Sequence, residues 1–171
     1  MKLENVFKEI NQMKRDGVID RYAVGGAVGA TFYLDPVSTV DVHVFVAIHP
    51  EPGIVLLSPT RIFEYLTARG TVADGAHLVI AGWPVQFLPP TGPLVEEALA
   101  AAREETIEGE PVWVFTPEHL AAIALETGRA KDKARLLQFV EEGVLDQERF
   151  DAILTRHGCW RSAEFGRGHP R

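Results

Sequence analysis

The sequence predicts an α+β fold, a mixed β-sheet core followed by a C-terminal helical lobe. Three observations carry that expectation: a strand with unbroken period-two spacing at residues 40–46, an order in which strands come early, and helical periodicity that fills the chain after residue 116. Composition agrees with one domain. The chain has 171 residues, 46% of them apolar and 24% charged, enough to close a normal-sized core. That apolar fraction excludes a disordered chain, and a single cysteine, Cys159, excludes a disulfide scaffold and fits a reducing compartment. A net charge of −7 argues against a general nucleic-acid surface, whose affinity comes from Lys and Arg neutralising phosphates. The longest uncharged stretch, residues 75–95, is interrupted by Pro84, Pro89, Pro90 and Pro93 and does not read as a membrane span. Lys2 and Glu4 stand where a secretory signal would need an apolar run, so the expected location is the cytoplasm.

Taken in order, Leu3, Val6, Phe7, Ile10 and Met13 recur at three- and four-residue steps and stop at Gly17, which predicts an amphipathic opening helix. Tyr22, Ala23 and Val24 then run extended into Gly25 and Gly26. Small residues from Ala27 to Ala30, with Thr31, Phe32 and Tyr33, predict a short buried helix closed by the Asp35-Pro36 turn. In Val40-Asp41-Val42-His43-Val44-Phe45-Val46 every even position is valine, so one strand face is apolar and the other carries Asp41, His43 and Phe45. Ser58, with Pro59 at the first helical position and Thr60 after it, starts a helix buried through Ile62, Phe63 and Leu66 and ending at Gly70. Residues 77–81 and 84–88 read as strands joined at Gly82 and Trp83 in a hairpin.

Residues 94–103 read as a helix and residues 111–115 as a strand. Thr116-Pro117-Glu118 opens a helix carrying Leu120, Ile123 and Ala124. A further helix leads from Gly128 into Leu136, Leu137 and Val140, and a last one uses Leu145, Phe150, Ile153 and Leu154 after Gly143. The order predicts a single domain over residues 1–163, with a core at about 1–115 and a helical lobe at about 116–163 beside a sheet covered on one side. Residues 164–171 carry no apolar periodicity and are expected to form a flexible tail.

Three segments could carry chemistry. Gly25-Gly26, between a strand and a helix, is either a tight turn or a close backbone approach to a ligand. Asp41 and His43 lie two apart on one strand face, about 6.5–7 Å apart at Cα, and could share a cation or a water. A carboxylate on an otherwise apolar strand is costly unless paired or coordinated, so Asp41 is the more telling of the two; His43 reads equally as a hydrogen-bonded structural histidine. Arg129, Lys131, Lys133 and Arg135 surround Asp132 at the start of a helix. Lys131 and Arg135, four apart, share a helical face that would suit a polyphosphate; the alternative is a solvated surface paired with the acidic run at residues 104–110.

In this order, Val24-Gly25-Gly26-Ala27-Val28, Phe32-Tyr33, Pro36, Ser38-Thr39 and Asp41-Val42-His43 resemble the signature of the nucleotidyltransferase (DNA polymerase beta-like) superfamily, a Gly-Gly or Gly-Ser turn followed by an Asp-x-Asp strand. The chain is more closely similar to small bacterial nucleotidyltransferases grouped with the AbiEii-type toxins of abortive-infection systems. In those, a segment like Pro117-Glu118-His119-Leu120 precedes a Gly-Arg-x-Lys-Asp motif, here Gly128-Arg129-Ala130-Lys131-Asp132. The likeness runs over residues 22–160.

What the resemblance implies is a mixed sheet with a C-terminal helical lobe and Mg²⁺-dependent transfer of a nucleotidyl group from a nucleoside triphosphate. In such enzymes three carboxylates hold two metals. Asp41 matches the first, His43 stands at the second, Gln86 at the third, and Val37 takes a place where many relatives carry Arg. The implied catalytic residues are Asp41 and His43, which would also hold the metal; the implied nucleotide contacts are Gly25, Gly26, Thr39, Arg129, Lys131 and Asp132. One carboxylate beside an imidazole and an amide suits Mn²⁺ or Zn²⁺ better than Mg²⁺. The implied acceptor is a tRNA end, a protein hydroxyl or a small alcohol. The competing expectation is a catalytically inactive binding or regulatory module of a toxin-antitoxin or defence system, with a cognate antitoxin as partner and nucleotide binding that does not need Mg²⁺.

Overall fold

The computed structural model describes residues 2–36, 38–48 and 59–159, and the expectations for Val37, Ser58 and the tail at 164–171 lie outside them. The chain runs α1 (Leu3–Arg15), β1 (Arg21–Val24), α2 (Gly26–Ala30), β2 (Val42–Ala47), α3 (Thr60–Ala68), β3 (Val72–Asp74), β4 (His77–Ile80), β5 (Trp83–Leu88), α4 (Pro93–Ala100), β6 (Arg103–Ile107), β7 (Glu110–Val114), α5 (Pro117–Thr127), α6 (Ala130–Glu141) and α7 (Gln147–His157). The strands form one sheet in the order β3-β4-β5-β2-β1-β7-β6. β2 pairs antiparallel with β1 and parallel with β5, and β1 pairs parallel with β7, so the sheet is mixed and the fold is α+β with a C-terminal helical lobe.

Strand parity divides the interior in two. Val42, Val44 and Val46 of β2 point with Tyr22 and Val24 into a core closed by Val6, Phe7, Ile10 and Met13 of α1 and Ile62 and Leu66 of α3. Ala23 and Phe45 point the other way, where Phe115 after β7 and Leu120, Phe139, Ile153 and Leu154 of the helical lobe cover part of the sheet. The expected one-sided cover is therefore corrected: both faces carry helices, and His43 emerges on the lobe face where that cover is incomplete.

Several boundaries differ from expectation. The valine stripe stops short of Val40, which precedes β2 and is 81% exposed. Pro59 caps α3 rather than opening its first turn. α4 ends at Ala100, so Arg103 begins a strand instead of ending a helix. The acidic run at residues 104–110 contributes to an edge hairpin, β6 with β7, turning at Glu108 and Gly109, both with positive φ. Charged side chains are tolerated there because an edge strand faces water and is protected by charge from further pairing. On α6 the buried apolar anchor is Phe139, whereas Leu137 and Val140 are exposed. No helix among the described residues is long and apolar enough to cross a membrane.

Candidate functional site

β2 presents the first half of the site. His43 stands in register with Gln86 of β5 on the lobe-facing side, and Asp41 lies just ahead of the strand. Asp41 Oδ2 is 2.9 Å from His43 Nε2 and 3.6 Å from Nε2 of His77, the residue that opens β4, so two imidazoles flank one carboxylate oxygen. In the neutral ring, a carboxylate accepting from Nε2 selects the tautomer with the proton on Nε2 and the lone pair on Nδ1. Thr39 donates its hydroxyl to the Asp41 carbonyl at 3.1 Å, holding the segment before the strand.

The glycine turn fits against this pair. Gly26 has φ +61, and a Cβ there would come within 3.0 Å of His43 Nδ1. A side chain at position 26 would therefore strain the backbone and press on the imidazole edge. Gly25 is extended and buried; a Cβ on it would meet the Phe45 ring at 2.7 Å.

Gly128 ends α5 in the left-handed region and turns the chain so that Arg129 leads into α6 facing β2. Asp132 is 3% exposed and receives hydrogen bonds from Arg129 Nε at 2.6 Å and Nη2 at 3.3 Å, with Arg135 Nη1 at 3.8 Å. The hydrogen bonds it donates to Asp132 raise the Arg129 guanidinium above its ordinary range, while burial lowers that of Arg135. Lys131 makes no ion pair among the described residues and lines the opening.

Together these elements enclose a cleft of about 390 Å³. Of the residues the sequence singled out, Gly26, Thr39, Asp41, His43, Arg129, Lys131 and Arg135 line it together. Gly25, Asp132 and Gln86 do not line it. Gly25 lies under Phe45 and Phe115, Asp132 is turned inward between two arginines, and Gln86 neighbours His43 in the sheet. Among the described residues, Arg129 and Arg135 of the basic run pair with Asp132 rather than with residues 104–110. Val40 and Gln138 help complete the wall, and His77 joins Asp41 from a strand that no motif linked to it. Among the described residues the ionic lining is three cations, Arg129, Lys131 and Arg135, against the single carboxylate of Asp41.

That donor set does not fit Mg²⁺, which wants hard oxygen ligands in octahedral array. Among the described residues Asp41 is the one carboxylate facing the cleft and is engaged by imidazoles, and its sheet neighbourhood adds only the neutral amide of Gln86. Among the described residues no three His, Cys, Asp or Glu side chains are disposed to hold a metal ion.

No protein-family model and no curated protein matches the sequence. Solved structures do. An antigenic nucleotidyltransferase-like protein from Paracoccidioides brasiliensis aligns over 91% of this chain and 86% of its own, at TM-score 0.58 and 16% identity. The antibiotic-resistance factor ANT(2'')-Ia aligns in its solution structure over 95% of this chain and 94% of its own, at TM-score 0.57 and 10% identity. Its crystal structure with adenylyl-2''-tobramycin aligns over 94% and 98%, at TM-score 0.55 and 12% identity. The chain has a nucleotidyltransferase-like fold.

Proposed function

We propose that the cleft binds a nucleoside triphosphate and that the chain transfers its nucleotidyl group to a hydroxyl acceptor, with His43 as the base. The observation that supports this most is the opposition of Arg129, Lys131 and Arg135 to the Asp41-His43 pair across one cleft. Guanidinium and ammonium groups match a polyphosphate in charge and geometry, and they would stabilise the charge that develops as pyrophosphate leaves. Asp41 orients His43, whose Nδ1 takes the acceptor proton. The metal expected on Asp41 and His43 has no part in this reading, and Asp132 acts by positioning Arg129 and Arg135 rather than by touching phosphate.

Among acceptors, a tRNA end, a protein hydroxyl and a small alcohol remain compatible. An amine-rich acceptor of the tobramycin kind is disfavoured, because three cations line the cleft. A second reading, a nucleotide-binding regulatory module without transfer, is favoured by Gln86 standing beside His43 where a carboxylate is expected, and would suit a toxin-antitoxin role.

Transfer of label from α-phosphate-labelled triphosphates, offered with tRNA, protein and small alcohols in the presence of a chelator, separates these readings. Labelled product from the wild type that is lost in His43→Ala and Asp41→Ala supports transfer. Product that survives both substitutions contradicts it, and binding without product favours the regulatory module.

A further inference from the structure

The cleft does not end at His43. Beneath it lies a second hollow of about 250 Å³, between the sheet and α5. Phe45, Leu88, Phe115, Leu120, Ile123 and Ala124 form its walls. The Phe45 and Phe115 rings pack with centroids 4.9 Å apart at 34°, and Gly25 lets the backbone lie against both. The Thr127 hydroxyl at its edge is already donated to the Ile123 carbonyl at 2.8 Å, and Asp132 is neutralised by Arg129. Gly26, His43, Arg129 and Arg135 border both hollows, so the apolar space and the basic cleft meet at the imidazole.

We propose that this inner hollow is the acceptor subsite and that the acceptor is an uncharged alcohol or phenol with a compact apolar body; the proposal rests on the triphosphate reading of the outer cleft. An apolar cavity of about 150 Å³ accommodates benzene, so the hollow has room for a substituted ring or a short branched chain. Its polar groups lie at the border with the outer cleft, so a nucleobase edge pressed against Phe45, Leu88, Phe115, Leu120, Ile123 and Ala124 would be desolvated without a partner. An ammonium would be both desolvated and repelled by Arg129 and Arg135. In the step, the acceptor O–H gives its proton to His43 Nδ1 and its oxygen bonds the α-phosphorus. The bond from that phosphorus to the bridging oxygen breaks, and pyrophosphate leaves with the electron pair toward the basic wall.

The test uses the full chain, with 4-ethylphenol and its cationic analogue tyramine as probes, titrated by ligand-observed NMR with and without ATP. The expected result is 4-ethylphenol binding roughly tenfold or more tighter than tyramine, with both probe and ATP bound at once. Ile123→Trp and Leu88→Trp, two independent ways of filling the hollow, should each weaken 4-ethylphenol roughly tenfold while leaving ATP affinity within about twofold. Equal binding of tyramine, no binding of 4-ethylphenol to the wild type, or competition between 4-ethylphenol and ATP would overturn the proposal, competition meaning that the hollow holds the base. Absence of any triphosphate binding to the wild type, with 4-ethylphenol still bound, would instead overturn the reading of the outer cleft and with it the acceptor role.

Discussion

Asp132 and Lys131 are neighbours in sequence and do different work in the site. A helix turns about 100° per residue, so adjacent side chains leave it in different directions: Lys131 lines the cleft, while Asp132 is 3% exposed and clasps Arg129. The motif shows both residues but not that division, because it depends on which face of α6 meets the lobe. Asp132→Asn keeps the shape and removes the charge. It should lower unfolding free energy in denaturant by about 1–3 kcal/mol and weaken triphosphate binding as Arg129 loses its anchor. Gly26 sits at φ +61 with His43 Nδ1 3.0 Å from where a Cβ would be. Gly26→Ala should therefore cost about 1–3 kcal/mol in the same measurement and reduce transfer by displacing the imidazole. His77 was invisible to sequence reasoning, since its place beside Asp41 comes from strand pairing across β5, a relation without a local signal.

At the level of elements, the helical lobe is tied together by Glu97 of α4. Its carboxylate meets Arg156 Nη2 at 2.6 Å, His157 Nε2 at 2.6 Å and His119 Nε2 at 3.1 Å, joining α4 to α5 and α7. Hydrogen bonds from Arg156 above all, with His157 and His119 adding and burial opposing, hold the Glu97 carboxyl at about 2, against 4.5 for the ordinary group. On acidification the unfolded chain takes up this proton first. The stability Glu97 contributes is therefore fully present above about pH 4.5 and lost as the pH falls through about 2. Denaturant midpoints should decline over that window in the wild type, and Glu97→Gln should be less stable near neutrality and flatter across it; an unchanged slope would contradict this assignment. The elements themselves were legible where periodicity was strong, as in α1 and in β2 from Val42 on. They were not legible where burial is partial: β3 is exposed throughout and β6 reads Arg-Glu-Glu-Thr-Ile, so neither shows the alternation that marks a half-buried strand.

For the whole molecule, a net charge of −7 coexists with a cleft whose ionic lining, among the described residues, is three cations and one carboxylate. The surrounding acidity opposes general attraction of nucleic acid, while on the proposed reading the local wall would hold a small polyanion at short range, where salt screens it least. Fold class followed from the order of strands and helices, and the solved nucleotidyltransferase-like structures share that fold at 10–16% identity. The proposed chemistry is local to Asp41, His43 and the start of α6, where the donor set departs from the carboxylate-rich expectation. The central claim is that this wall holds a triphosphate without Mg²⁺. Its most direct test is calorimetric titration of the four nucleoside triphosphates, in chelator, into the wild type and Lys131→Glu, a substitution at an exposed side chain without an ion pair among the described residues. The account predicts wild-type binding that persists in chelator and falls by roughly tenfold or more on charge reversal. Wild-type binding that vanishes in chelator, or that is the same in Lys131→Glu, would contradict it.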